Sequence, residues 1–197
     1  MSLSTEQDYN LTKKQPAIFI DRDGVINVDH GYVGKVDDFH FINGVINACK
    51  NLKEKGYLLV VITNQSGIAR GYYTETQFNL LTQWMDWSFA NEGVELDGIY
   101  YCPHHYQEGI GEYKIECDCR KPKPGLIVNA AAELNLDLSR SILVGDTVTD
   151  IQAGISAGIK ENYLVKTGKN ITDEGANIAN GVFDDLSAFS DHVKSIL

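Results

Sequence analysis

Positive charge is scarce in this sequence. Lysine and arginine total 17 against 27 aspartates and glutamates, a net charge of −10 over 197 residues. A phosphate backbone demands a basic footprint, so this balance argues against a nucleic-acid partner and against a basic membrane patch. No apolar run is long enough to span a bilayer. The opening residues, "MSLSTEQDYN", lack a hydrophobic signal core, which predicts a cytoplasmic protein. Cysteine is also sparse. Four in such a chain do not make a disulfide framework, and three of them cluster while Cys49 stands apart.

What remains is an ordinary apolar fraction, enough for one sizeable core. Residues 16–197 are expected to form one domain behind a flexible N-terminal segment, 1–15. Apolar runs of strand length alternate with segments of helical period, which predicts an α/β fold with a mainly parallel sheet. The expected strands are Ala17–Ile20, Leu58–Ile62, Gly98–Tyr101, Ser141–Val144 and Asn162–Val165. Their near-continuous apolar character suits strands covered on both faces.

Helical faces are drawn by Val45, Ile46, Cys49 and Leu52, and by Phe78, Leu81, Trp84, Met85 and Phe89 behind a Thr74-x-x-Gln77 capping box. Leu186, Phe189, Val193 and Ile196 mark a C-terminal helix. Cys49 reads as a core residue.

Four polar clusters follow, three of them at strand ends, where ligands bind in open α/β sheets. In "DRDG", Asp21 and Asp23 are two apart on an extended chain and can face one pocket, with Arg22 directed elsewhere. One carboxylate could attack phosphorus while the other handles a proton; an Asp-rich turn is the plainer explanation. Thr63, Asn64, Gln65 and Ser66 offer donors to an oxyanion, or form a polar loop. Asp146 and Asp150 in "VGDTVTDI" include hard ligands suited to Mg²⁺, with Asp150 closer to a structural role at a helix start. In "CDCRKPKPG", Lys121 offers a point charge and Arg120 a planar fork to phosphate.

Between the third strand and that basic run lies Cys102-x-His104, then Cys117-x-Cys119. Three thiols and one imidazole match a closed tetrahedral zinc site stapling the loop 102–119. His104 is preferred to His105 by the symmetry of the two pairs. With four protein ligands the zinc would be structural.

In order, "FIDRDGVIN", "VITNQSGIARG", "CPHH…CDCRKPKPG" and "VGDTVTDI" resemble the haloacid dehalogenase superfamily of phosphatases, over about Ala17 to Ala157. The resemblance implies a Rossmann-like three-layer core without a large cap domain. It implies Asp21 as nucleophile, through an aspartyl-phosphate, and Asp23 as general acid and then base. Mg²⁺ would be bound by the Asp21 carboxylate, the Asp23 main-chain carbonyl and Asp146. Thr63 and Lys121 would hold the transferred phosphoryl group. Asp29, His30, Gly31, Tyr32, Asn64, Gln65, Ser66 and Arg120 would contact the rest of the substrate. Thr147 departs from the lysine often found at that position in relatives.

Within the superfamily, "VDHGYVGKVDDFHFINGV" resembles the branch acting on heptose bisphosphates. The expected activity is Mg²⁺-dependent hydrolysis of the 7-phosphate of D-glycero-D-manno-heptose 1,7-bisphosphate by a monomer, on the route to nucleotide-activated heptose. Histidinol phosphate is the alternative substrate, and a non-catalytic zinc-stapled binding protein is the alternative of another class.

Overall fold

The structure, a computed structural model, describes residues 13–197. Most of the expected N-terminal segment, 1–12, lies outside the described residues. Gln15 is paired, donating its N–H to the Asn135 carbonyl and accepting from the N–H of Asp137.

Six parallel strands form one sheet in the order β3-β2-β1-β4-β5-β6. They are β1 (Ala17–Ile20), β2 (Leu58–Asn64), β3 (Gly98–Cys102), β4 (Ile142–Gly145), β5 (Glu161–Val165) and β6 (Gly181–Phe183). All five expected strands are present. β2 runs two residues further than its apolar stretch, so Thr63 and Asn64 are part of the ladder, paired with Tyr101 and Cys102. β6 was not anticipated; it is three residues long and not fully buried.

The helices are α1 (Val45–Glu54), α2 (Ser66–Ala69), α3 (Glu75–Asn91), α4 (Gly125–Glu133), α5 (Val148–Ala157), α6 (Asp173–Ile178) and α7 (Leu186–His192). They cover both faces of the sheet. Alternate residues of β1 divide between two cores: Ile18 and Ile20 join α1, α3 and α7, while Ala17 and Phe19 join α4 and α5. This is a three-layer Rossmann-like arrangement. Cys49 is fully buried on α1, and burial pushes its thiol up to about 12. The β1–α1 connection, residues 21–44, carries one 3₁₀ turn, Val36–Asp38, and no cap domain.

The α3 capping box forms as expected, Thr74 accepting from the Gln77 N–H and the Gln77 side chain accepting from the Thr74 N–H. The C-terminal helix is shorter than its apolar period suggests. Val193 is extended, at φ −65° and ψ 133°. Lys55 Nζ donates to the carbonyls of Ser190 and Val193, terminating the helix. Ile196 still packs against the core, from beyond the helix.

Sheet order places the topological switch between β1 and β4, whose following connections lead to opposite halves of the sheet. Ile20 pairs with Val61 on one side and Val144 on the other. The residues just past these positions therefore converge at one cleft.

Candidate active site

Asp21 is the first residue after β1 and Asp146 the first after β4. The Asp21 N–H donates to the Val144 carbonyl at 3.0 Å, extending the ladder to the carboxylate itself. Asp21, Asp146 and Asp150 are all buried, and their carboxylate oxygens lie within 4.8 Å of one another. Gly145 permits this crowding: a Cβ there would stand 2.3 Å from the Cβ of Asp150.

One buried cation faces the three carboxylates. Lys121 Nζ lies 2.7 Å from Asp21 Oδ1 and 2.6 Å from Asp150 Oδ1, and donates to the Ile62 carbonyl at 3.1 Å. Burial opposes its charge, but Asp150 and Asp21 outweigh burial and hold the ammonium charged. Burial raises Asp21 well above the usual carboxylate range despite Lys121, with Asp150 and Asp146 adding to the rise. Burial, then Asp150, pushes Asp146 up to about 6. Three carboxylates against one ammonium leave an excess of negative charge that suits a divalent cation. Among the described residues none donates a hydrogen bond to the Asp23 main-chain carbonyl, which stays available as a further oxygen ligand.

Asp150 is tied into the scaffold. Its Oδ2 accepts from the Thr147 N–H at 3.0 Å and the Thr147 hydroxyl at 2.6 Å, capping α5. Thr147 thus serves the helix start.

Asp23 turns to different partners. Arg22, expected to point away, folds back instead: Nη2 lies 2.7 and 2.9 Å from the two Asp23 oxygens. Arg22 is 1% exposed and also donates to the Val33 carbonyl at 2.7 Å. A buried guanidinium requires such a partner, and the adjacent carboxylate supplies it. Asn27 Nδ2 and Gln65 Nε2 complete the shell of Asp23, at 3.0 and 2.8 Å. Gln65 Nε2 also donates to Thr63 Oγ1 at 2.7 Å, and Tyr73 fixes the far end of that amide.

Two connected cavities hold the expected residues. The inner one, about 260 Å³, is lined by Asp21, Asp23, Asp29, Thr63, Asn64, Arg120, Lys121 and Asp146, among others. The outer one, about 290 Å³, adds Gly31, Tyr32, Gln65 and Ser66. His30 lines neither; its ring meets His40 edge-on at 5.8 Å. Asn64 faces both cavities, but its amide is engaged by the Lys121 main chain. Lys169 lines both cavities and carried no sequence motif.

Cys102, His104, Cys117 and Cys119 converge beside this cleft. Cys102 ends β3 at the core, and the other three come from the loop. Sulfur–sulfur distances are 3.0, 3.2 and 3.5 Å, and His104 Nδ1 is 3.5 Å from Cys119 and 3.8 Å from Cys102. A tetrahedron with ~2.3 Å arms has edges of roughly 3.7 Å; the sulfurs stand closer than that and would spread around an ion, and three thiols with one imidazole are a donor set that zinc takes. No disulfide links them. Hydrogen bonding with Cys102 lowers the Cys119 thiol to about 5, and the same contact raises Cys102. His105 is turned into its own loop, accepting from Glu108 N–H at 3.1 Å. Arg120 Nη1 donates to the His104 carbonyl at 3.3 Å, coupling the loop to the cleft.

A parallel sheet with paired aspartates past β1, a hydroxyl at the end of β2, a buried lysine and acidic groups past β4 defines a hydrolase of the haloacid dehalogenase class. A family model described as HAD-hyrolase-like matches residues 118–189. The chain is 59% identical over 170 residues to the D-glycero-beta-D-manno-heptose-1,7-bisphosphate 7-phosphatase of Haemophilus influenzae, covering 86% of this chain and 92% of that protein. It is 53% identical over 184 residues to the protein of the same name from Escherichia coli K12, covering 93% and 96%. The crystal structure of D,D-heptose 1,7-bisphosphate phosphatase from B. bronchiseptica, complexed with magnesium and phosphate, superposes with a TM-score of 0.77. Its identity is 32%, over 90% of this chain and 97% of that one. The chain belongs to the heptose-1,7-bisphosphate 7-phosphatase family of haloacid dehalogenase-like phosphatases, and is a phosphoric monoester hydrolase.

Proposed function

We propose that this protein removes the 7-phosphate of D-glycero-β-D-manno-heptose 1,7-bisphosphate and leaves the anomeric phosphate in place. The observation that carries this reading is the 59% identity to the Haemophilus influenzae phosphatase over most of both chains. The β anomer follows the relatives' names.

Asp21 attacks phosphorus and becomes an aspartyl-phosphate as the C7 oxygen departs. Asp23 gives that oxygen its proton, then takes a proton from the water that hydrolyses the acyl phosphate. Arg22, Asn27 and Gln65 orient the Asp23 carboxylate for both transfers. Thr63 and Lys121 receive the phosphoryl oxygens; Lys121 exchanges part of its contact with Asp21 for the incoming charge. Asp29, Gly31, Tyr32, Asn64, Gln65, Ser66 and Arg120 line the volume left for the sugar and its second phosphate.

Mg²⁺, held by the carboxylates of Asp21 and Asp146 and the main-chain carbonyl of Asp23, would supply Lewis-acid stabilisation of charge on the phosphoryl oxygens. Zinc in the Cys102–His104–Cys117–Cys119 set would have no open position and would act on the loop alone. Residues 16–197 form one domain that works as a cytoplasmic monomer, its open cleft needing no second chain.

Side-by-side kcat/KM values for the heptose bisphosphate and histidinol phosphate test the substrate. A preference for histidinol phosphate overturns the assignment. Absence of phosphate release from any sugar phosphate or from histidinol phosphate would favour a binding protein.

A further inference from the structure

The loop after β5, "KTGKN", is clamped onto the cleft by the Thr167 hydroxyl and the Lys169 main chain. Thr167 Oγ1 donates to the Gly24 carbonyl at 2.7 Å, and the Lys169 N–H donates to Asp146 Oδ2 at 2.8 Å. Gly168 lies so close to Asp146 that a Cβ there would stand 2.0 Å from Oδ2. These contacts fix the backbone of the loop against the buried carboxylates.

The Lys169 side chain leaves that anchor for the cleft mouth. It is 59% exposed and paired with Asp29 across the opening, whose own side chain is 11% exposed. Among the residues lining the outer cavity, Lys169 carries the only cationic side chain. In the inner cavity Lys121 is buried and already shared by Asp21 and Asp150, while Arg120 is anchored on the zinc loop. A bisphosphate brings a second dianion that the inner carboxylates repel. The accessible cation where the two cavities meet is Lys169.

We infer that Lys169 is a specificity residue that receives the non-transferred phosphate of the substrate. Asp29 holds the ammonium over the cleft until substrate arrives, then releases it and turns its carboxylate to the sugar hydroxyls. Exposure keeps the lysine free to move, and its fixed backbone keeps that movement inside the cleft. The inference rests on the bisphosphate reading of the site.

The test compares kcat/KM for heptose 1,7-bisphosphate with that for heptose 7-phosphate, in wild type, Lys169→Met and Lys169→Arg. A charge-assisted contact of ordinary strength predicts that Lys169→Met lowers the bisphosphate-to-monophosphate preference by about 10- to 100-fold. The loss should lie mainly in KM, and Lys169→Arg should restore most of it. Equal losses on both substrates would mean a structural role through Asp146 or Asp29 and would overturn the inference. So would a preference unchanged by Lys169→Met in a wild type that prefers the bisphosphate. A wild type that hydrolyses neither substrate overturns the functional reading, and this inference with it.

Discussion

Asn64 grips the main chain of Lys121 from both sides: its Nδ2 donates to the Lys121 carbonyl at 3.1 Å, and the Lys121 N–H donates to its Oδ1 at 3.1 Å. The two residues are 57 positions apart, one ending β2 and the other following the zinc loop. The paired bonds fix where the buried ammonium emerges relative to Asp21. Small displacements of a charge-stabilising group cost about 100-fold in rate. Asn64→Ala is therefore expected to lower kcat by about 10- to 100-fold. Asn64→Asp, which keeps the acceptor but opposes a carboxylate to the Lys121 carbonyl, should lose as much or more. Steady-state kinetics alongside thermal melts check this: a kcat close to wild type in Asn64→Ala would show that Lys121 needs no such anchor.

Asp21→Asn should abolish phosphate release, by at least about 1,000-fold, because an amide cannot form the acyl phosphate. The fold should survive. The Asp21 carboxylate is crowded by Asp146 and Asp150, so neutralising it relieves repulsion even as Lys121 loses one partner. Melting temperatures within a few degrees of wild type are expected, with zinc content unchanged.

Metal-free protein should respond to acid in an unusual direction. Asp146 is raised from 3.8 to about 6 and Asp21 is raised as well. Between about pH 4 and 6 the folded chain thus binds more protons at these groups than the unfolded chain does. Their contribution to stability is full below about pH 4 and is lost as the pH rises through 6. Stripped of Mg²⁺, the site should favour a higher melting temperature at pH 5 than at pH 7. Added Mg²⁺ competes with those protons, so its stabilising effect should be strong above pH 7 and fade below pH 6. A Mg²⁺ effect independent of pH over that range would contradict the assignment.

Zinc should reach substrate recognition through Arg120. Removing the metal, or substituting Cys117→Ser, is expected to loosen residues 103–119 and with them the His104 carbonyl that holds Arg120. KM for the bisphosphate should rise by more than kcat falls, and the loop should become a site of proteolysis. Elemental analysis of the wild type should give about one zinc per chain. Cysteine substitution that empties the zinc site yet leaves KM intact would remove the loop from substrate recognition.

The strands were legible because buried parallel strands leave unbroken apolar runs, and the site was legible because its carboxylates follow those runs directly. Asp21, Asp146 and the Cys₃His set needed only local spacing. Arg22 was misplaced because alternation along an extended chain holds only while the chain stays extended. At Arg22 it turns: the N–H groups of Ile26 and Asn27 both donate to the Arg22 carbonyl. The pairings of Asn64 with Lys121 and of Lys169 with Asp29 link segments 57 and 140 residues apart, and no local period encodes them. The end of α7 depended on Lys55, which lies far away in sequence and close in the fold.

The account is tested most directly by ³¹P NMR of D-glycero-β-D-manno-heptose 1,7-bisphosphate incubated with the protein and Mg²⁺. The predicted result is loss of the 7-phosphate resonance, stoichiometric growth of inorganic phosphate and an intact anomeric phosphate. Loss of the anomeric phosphate first, or a spectrum that does not change, would contradict it.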